Sequence, residues 1–88
     1  GEEFVVIING VNDTIESMRQ KAEKTAQDIL KICHSIRLEA LPEKEFSCSV
    51  GIAIYNVDGR TYAELYEKAD AAMYNVKKNG KDNYAFAE

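Results

Sequence analysis

Two groups of residues in this 88-residue chain could do chemistry. The first is Gly1-Glu2-Glu3, placed directly before the apolar run Phe4-Val5-Val6-Ile7-Ile8. Adjacent carboxylates at the mouth of a buried strand suit Mg²⁺ and its preference for oxygen donors, and the glycine lets a ligand approach the main chain. The same three residues also read as a frayed, solvated terminus. The second group is Lys77-Lys78-Asn79-Gly80-Lys81, at the end of a helical pattern. Lysines there could hold phosphate, though not as a P-loop does. A helix C-terminus repels anions, so the ammonium groups would have to supply all the attraction. Their plainer reading is a basic last turn that complements the helix dipole. On charge pattern alone, both readings of both groups stand.

The elements that must position these residues follow from periodicity. Phe4–Ile8 is a β-branched run of the kind found in strands covered on both faces. Asn9-Gly10-Val11-Asn12 turns the chain. Asp13 followed by Glu16 predicts a capping box and a helix from about Thr14 to about Arg37, ahead of the loop at Pro42. Ile15, Met18, Ala22, Ala26, Ile29, Cys33 and Ile36 give that helix one apolar stripe, which is core packing. From Phe46 to Tyr55 the period changes to two. Phe46, Cys48, Val50, Ile52 and Ile54 share one face of this strand. The other face, Ser47, Ser49, Gly51, Ala53 and Tyr55, is mostly small and lets a helix pack closely. Thr61 and Glu64 form a second capping box, opening a helix with the stripe Tyr62, Leu65, Ala69, Met73 and Val76. Gly80 is placed to close that helix, and Tyr84-Ala85-Phe86 is a short last strand. The order is strand, helix, strand, helix, strand.

Composition narrows the function classes. Hydrophobic content of 45% and charged content of 30% describe a folded domain rather than a disordered tract. A net charge of −4 argues against a nucleic-acid-coating surface. No apolar run is long enough to span a membrane, and no signal-peptide pattern is present. Cys33 and Cys48 lie outside any metal-binding spacing and read as buried free thiols in a reducing, cytoplasmic setting. His34, the one histidine, has no evident co-ligands. Gly1, with no initiator Met before it, reads as the start of a chain cut from a longer one.

The stretch from Ser49 onward shifts the balance between the readings of the two charged groups. Ser49-Val50-Gly51-Ile52-Ala53, then Tyr55, Asp58-Gly59 and Tyr62-x-x-Leu65 are followed by Lys68-Ala69-Asp70-Ala71-Ala72-Met73-Tyr74 and Lys77-x-x-Gly80-Lys81-x-Asn83. This series resembles the GGDEF family, whose strand reads S-[IV]-G-[IV]-A and whose next helix reads A-D-x-A-[ML]-Y-x-[AV]-K-x-x-G-[KR]-N. Gly1-Glu2-Glu3-Phe4 is similar to the last four residues of the G-G-E-E-F signature. The resemblance covers nearly the whole chain. Two small departures are Asp82, inserted before Asn83, and Lys81, where arginine is common.

The resemblance implies that residues 1–88 are the C-terminal part of a single GGDEF domain. The implied fold is α+β and nucleotidyl-cyclase-like, with a ferredoxin-like antiparallel sheet and packed helices. It places a central strand, upstream of this chain, between the strands Phe4–Ile8 and Phe46–Tyr55. The implied activity is that of a diguanylate cyclase, which condenses two GTP into cyclic di-GMP and releases pyrophosphate, with Mg²⁺ or Mn²⁺ as cofactor. Glu2 is then the metal ligand and general base, Glu3 the neighbouring acidic metal-site residue, and Gly1, Lys77 and Lys81 the nucleotide-holding residues. Implied partners are GTP, a second GGDEF domain in a homodimer, and an upstream sensor or receiver domain. No nucleic acid or membrane contact is expected of this segment. The 88-residue chain by itself is expected to be inactive, because a metal-binding aspartate and the guanine-reading residues lie upstream. Two other functions compete: a degenerate GGDEF domain that binds GTP or a protein partner without turnover, and a nucleotide-independent scaffold.

Overall fold

The computed structural model describes residues 2–10, 12–40 and 47–88. Gly1, Val11 and Phe46, together with the loop at Pro42, lie outside the described residues. The five elements appear in the predicted order: β1 (Glu2–Ile8), α1 (Ile15–Ala40), β2 (Cys48–Ile54), α2 (Tyr62–Lys78) and β3 (Asn83–Phe86).

The sheet runs β1-β2-β3, and both pairings are parallel. This corrects the antiparallel expectation. Each strand reaches the next through a helix, and a helical crossover returns the chain in the same direction, which suits consecutive strands to pair in parallel. The intervening strand that the resemblance implied is not among the described residues. Instead β1 and β2 pair directly over their full length, from Glu2 opposite Cys48 to Ile8 opposite Ile54.

β2 is the centre of the molecule, and all seven of its residues are buried. Its alternation divides the core as the sequence predicted. Val50 and Ile52 pack with Val6 of β1 and with Ala22 and Ala26 of α1. On the opposite face Ala53 packs with Leu65 and Ala69 of α2. Gly51 lies on that second face, where a Cβ would sit 2.6 Å from the Met73 amide nitrogen and would meet the Ala69 carbonyl. The helices therefore cover opposite faces of a sheet whose strands run in simple order, so the two crossovers have opposite hands. β1 is an edge strand rather than the fully covered one predicted: Val6 is buried, while Phe4 stays 38% exposed.

Capping follows the sequence with one shift. The start of α1 is capped by Thr14, whose Oγ1 accepts from the Ser17 amide at 3.0 Å. Asp13, expected in that role, instead pairs with Lys21 at 2.6 Å. The helix also extends to Ala40, past the predicted end. For α2 both halves of the Thr61–Glu64 capping box are formed. Hydrogen bonds from the Arg60 amide, then from Thr61, hold the Glu64 carboxyl below its ordinary range. At the other end Gly80 takes φ 111°, which L residues avoid, and the Lys81 amide closes back on the Val76 carbonyl at 3.0 Å.

The cysteines depart from expectation. Cys33 of α1 and Cys48 of β2 are joined in a disulfide, with Cα atoms 6.4 Å apart. α1 packs across the start of β2, so two residues 15 apart in sequence meet in the core. The free-thiol reading, and the reducing compartment drawn from it, lose their support.

Candidate active site

The predicted site residues that the structure describes sit on β1 and at the end of α2, with two serines beside them. Glu2 and Glu3 begin β1, Ser49 lies at the start of β2, and Ser47 directly precedes that strand. Lys77 is in the last turn of α2, with Lys81 in the loop that follows. Glu2, Glu3, Ser47, Ser49, Lys77 and Lys81 line one small cleft of about 20 Å³. The amide of Glu2 donates to the Ser47 carbonyl at 2.7 Å, which fixes the acidic end of β1 beside β2. The fold thus brings together the two charged groups, which lie at opposite ends of the chain. Gly1, the remaining nucleotide-holding candidate, is outside the described residues.

The pleat of β1 decides what each acid meets. Side chains alternate along a strand, so Glu3 shares a face with Val5 and Ile7, which pack against the α2 side of the core. Glu2 takes the other face with Phe4 and borders a cavity of about 340 Å³ lined by Ile29, Ile32, Cys33 and Ile36. Accordingly Lys77 Nζ donates to Glu3 Oε1. That hydrogen bond, reinforced by the lysine charge, holds the Glu3 carboxyl below its ordinary value. The same contact raises Lys77. Both side chains remain about half exposed.

Glu3 is therefore engaged, and Glu2 is the acid without an ion-pair partner among the described residues. No cluster of three His, Cys, Asp or Glu side chains occurs among those residues. One available carboxylate still fits Mg²⁺, which keeps several waters and takes much of its coordination from substrate phosphates.

Three features of the site were not legible in the sequence. Ser47 and Ser49 enter the cleft, Ser49 as a buried polar side chain. His34, for which no partner was foreseen, places Nε2 2.7 and 2.9 Å from the two carboxylate oxygens of Asp82. That contact ties α1 to the loop carrying Lys81, in which Lys81 and Asp82 both take left-handed conformations at φ 62° and 56°. Asp82 is the residue inserted relative to the family spacing. Two consecutive left-handed residues let the loop absorb it and still enter β3 at Asn83.

A larger cavity, about 460 Å³, lies elsewhere, beyond the C-terminal ends of β1 and β2 among Asn9, Gly10, Asp13, Tyr55 and Asn56. It brings no cation to its lining, and its one carboxylate, Asp13, is paired with Lys21. Size alone does not make it the site, since among the described residues Lys77 and Lys81 meet the acidic end of β1 at the smaller cleft.

The family described as "Diguanylate cyclase, GGDEF domain" matches residues 1–83. The chain belongs to the GGDEF family. It is 34% identical over its whole length to the bifunctional diguanylate cyclase/cyclic di-GMP phosphodiesterase MucR of Pseudomonas aeruginosa, of which the match covers 12%. It is 35% identical over 98% of its length to the signaling protein YkoW of Bacillus subtilis, covering 10% of that protein. Diguanylate cyclase A of Treponema denticola is 27% identical over the full chain, which spans 22% of its length. No solved structure matches. The GGDEF chain thus spans about a tenth to a fifth of these relatives, and its three-stranded α+β fold is consistent with part of a GGDEF domain. No helix among its described residues is long and apolar enough to cross a membrane.

Proposed function

We propose that this chain supplies one side of the active site of a diguanylate cyclase. The observation that carries the reading is the meeting of Glu2, Glu3, Lys77 and Lys81 around one cleft, in a chain that belongs to the GGDEF family. Lys77 and Lys81 hold the triphosphate of one GTP, and Gly1 lets the nucleotide approach the main chain. Glu2 is the metal-binding carboxylate, while Glu3, on the opposite face of β1, is paired with Lys77. Mg²⁺ or Mn²⁺, when bound, offsets phosphate charge that would otherwise repel the nucleophile.

The 3′-oxygen of a GTP held by a facing second domain bonds to the α-phosphorus. The bond from that phosphorus to the β-phosphate bridging oxygen breaks, pyrophosphate leaves with the electron pair, and Glu2 accepts the hydroxyl proton. The same exchange in the opposite sense closes the ring, so two domains and two GTP are needed. The geometry contributes positioning and charge, the usual means of phosphoryl-type catalysis. We place the domain downstream of a sensor or receiver domain.

Intact protein given GTP and Mg²⁺ should form cyclic di-GMP and pyrophosphate in a ratio of about one to two, as the two displacements require. Lys77→Ala and Lys81→Ala should each weaken GTP binding by about tenfold or more, the scale of a lost charge-assisted hydrogen bond. GTP binding without product would favour a degenerate domain. Unchanged affinity in both lysine variants would return these residues to dipole complementation.

A further inference from the structure

Resting on that functional reading, we propose that Glu3 is a positioning residue for Lys77: its carboxylate holds the lysine ammonium over the cleft, ready for the triphosphate. The contact joins residues 74 apart in sequence and is the one ion pair among the described residues that bridges the two charged groups.

Lys77 needs such a partner for a physical reason. It stands in the last turn of α2, where the helix dipole repels anions, so any phosphate attraction must come from the ammonium itself. A lysine carries its charge on a flexible four-carbon stem and loses much rotamer freedom on meeting a ligand. Pairing with Glu3 restricts that freedom before the ligand arrives, which is the usual gain from preorganisation.

Glu3 is suited to hold it. Its main chain lies in β1 opposite Ser49, within the ladder that joins β1 to the buried strand β2. Its side chain takes the α2 face, whereas the pleat sends Glu2 to the α1 face and out of this role. An ammonium has three protons, and Glu3 accepts one, leaving two donors for phosphoryl oxygens. Strand alternation thus divides the adjacent acids: Glu2 toward the α1 face, Glu3 toward the lysine.

A double-mutant cycle in the intact protein tests the division. The probe is 3′-deoxy-GTP, which lacks the attacking hydroxyl and so reports binding without turnover. Glu3→Gln should weaken its binding by about fivefold, near the upper end for a partly exposed ion pair. In a Lys77→Gln background the same change should do nothing further. Glu3→Asp should fall between wild type and Glu3→Gln, and half-saturating Mg²⁺ should be unchanged in Glu3→Gln. An equal loss in both backgrounds, a loss removed by excess Mg²⁺, or unchanged or tighter binding in Glu3→Gln would overturn the proposal and leave the functional reading intact. If Lys77→Gln itself leaves probe affinity unchanged, Lys77 does not meet the triphosphate, and the functional reading fails together with the proposal.

Discussion

Gly51→Ala tests whether the close seat of α2 on β2 is what the fold depends on. A Cβ there would meet the Ala69 carbonyl oxygen and would lie 2.6 Å from the Met73 amide nitrogen and 2.8 Å from Met73 Cβ. The first two obstacles are main chain, so no rotamer change relieves them. α2 must lift from the sheet, loosening the stripe of Leu65, Ala69, Ala72, Met73 and Val76 that it buries. Overpacking usually costs about 1–3 kcal/mol, and an unyielding main-chain obstacle puts this case at about 3 kcal/mol. A chain of 88 residues has a total stability of roughly 4–13 kcal/mol. The substitution should therefore lower Tm by about 12–24 °C, followed by far-UV circular dichroism and urea titration. Adding Ala69→Gly should not rescue it, because the obstructing Ala69 atom is the carbonyl. Gly80→Ala is the contrasting case: nothing lies within 4 Å of its Cβ position, and only the φ of 111° penalises it, by about 1 kcal/mol. A Gly51→Ala protein within about 0.5 kcal/mol of wild type would refute the argument.

Two further predictions concern the covalent and ionic links near the site. Denatured, unreduced protein should titrate no free thiol, and reduction should lower stability by about 3 kcal/mol, the scale expected for a loop of this length; two thiols in the untreated protein would show that Cys33 and Cys48 are not joined. In a ¹³C carboxyl titration Glu3 should ionise below the ordinary 4.5, and Lys77→Gln should return it toward that value. The sign follows from linkage. Glu3 is depressed, so its contribution is present above its unfolded pKa and is lost as pH falls through the lower folded value. Lys77 is raised above 10.5, so its contribution is complete below that and is lost as pH rises through the folded value. The pair should hold between those two limits, and a Glu3 midpoint unaffected by Lys77→Gln would contradict it.

How much of this was legible in the sequence depended on how local each signal was. The switch of period from 3.6 to 2 and back fixed the element order, and the small face of β2 announced the close approach of α2. The Thr61–Glu64 cap and Gly80 were also readable, since each needs only its neighbours. Thr14 took the cap expected of Asp13 because Lys21, two turns along α1, offered Asp13 an ion pair. Sheet direction was not local. The antiparallel expectation came from the resemblance, and it presumed a strand that the described residues do not include. The Cys33–Cys48 and His34–Asp82 contacts were likewise hidden, because they depend on where α1 crosses the sheet. Glu3–Lys77 was half legible. Alternation assigns Glu3 to the face of Val5 and Ile7, but only the packing of α2 on that face supplies the lysine.

The central claim is that Glu2 is the acid on which turnover depends, and Glu2→Gln in the intact protein tests it most directly. The substitution keeps size and hydrogen-bonding capacity and removes the charge. Glu2 is exposed, and its link to Ser47 runs through the amide nitrogen, so the fold and Tm should be nearly unchanged. Cyclic di-GMP formation from GTP and Mg²⁺ should fall below detection, while Glu2→Asp, which keeps the carboxylate, should retain some activity. Glu2→Gln turnover within about tenfold of wild type, a barrier change of only about 1.4 kcal/mol, would show that Glu2 is not the metal-site carboxylate.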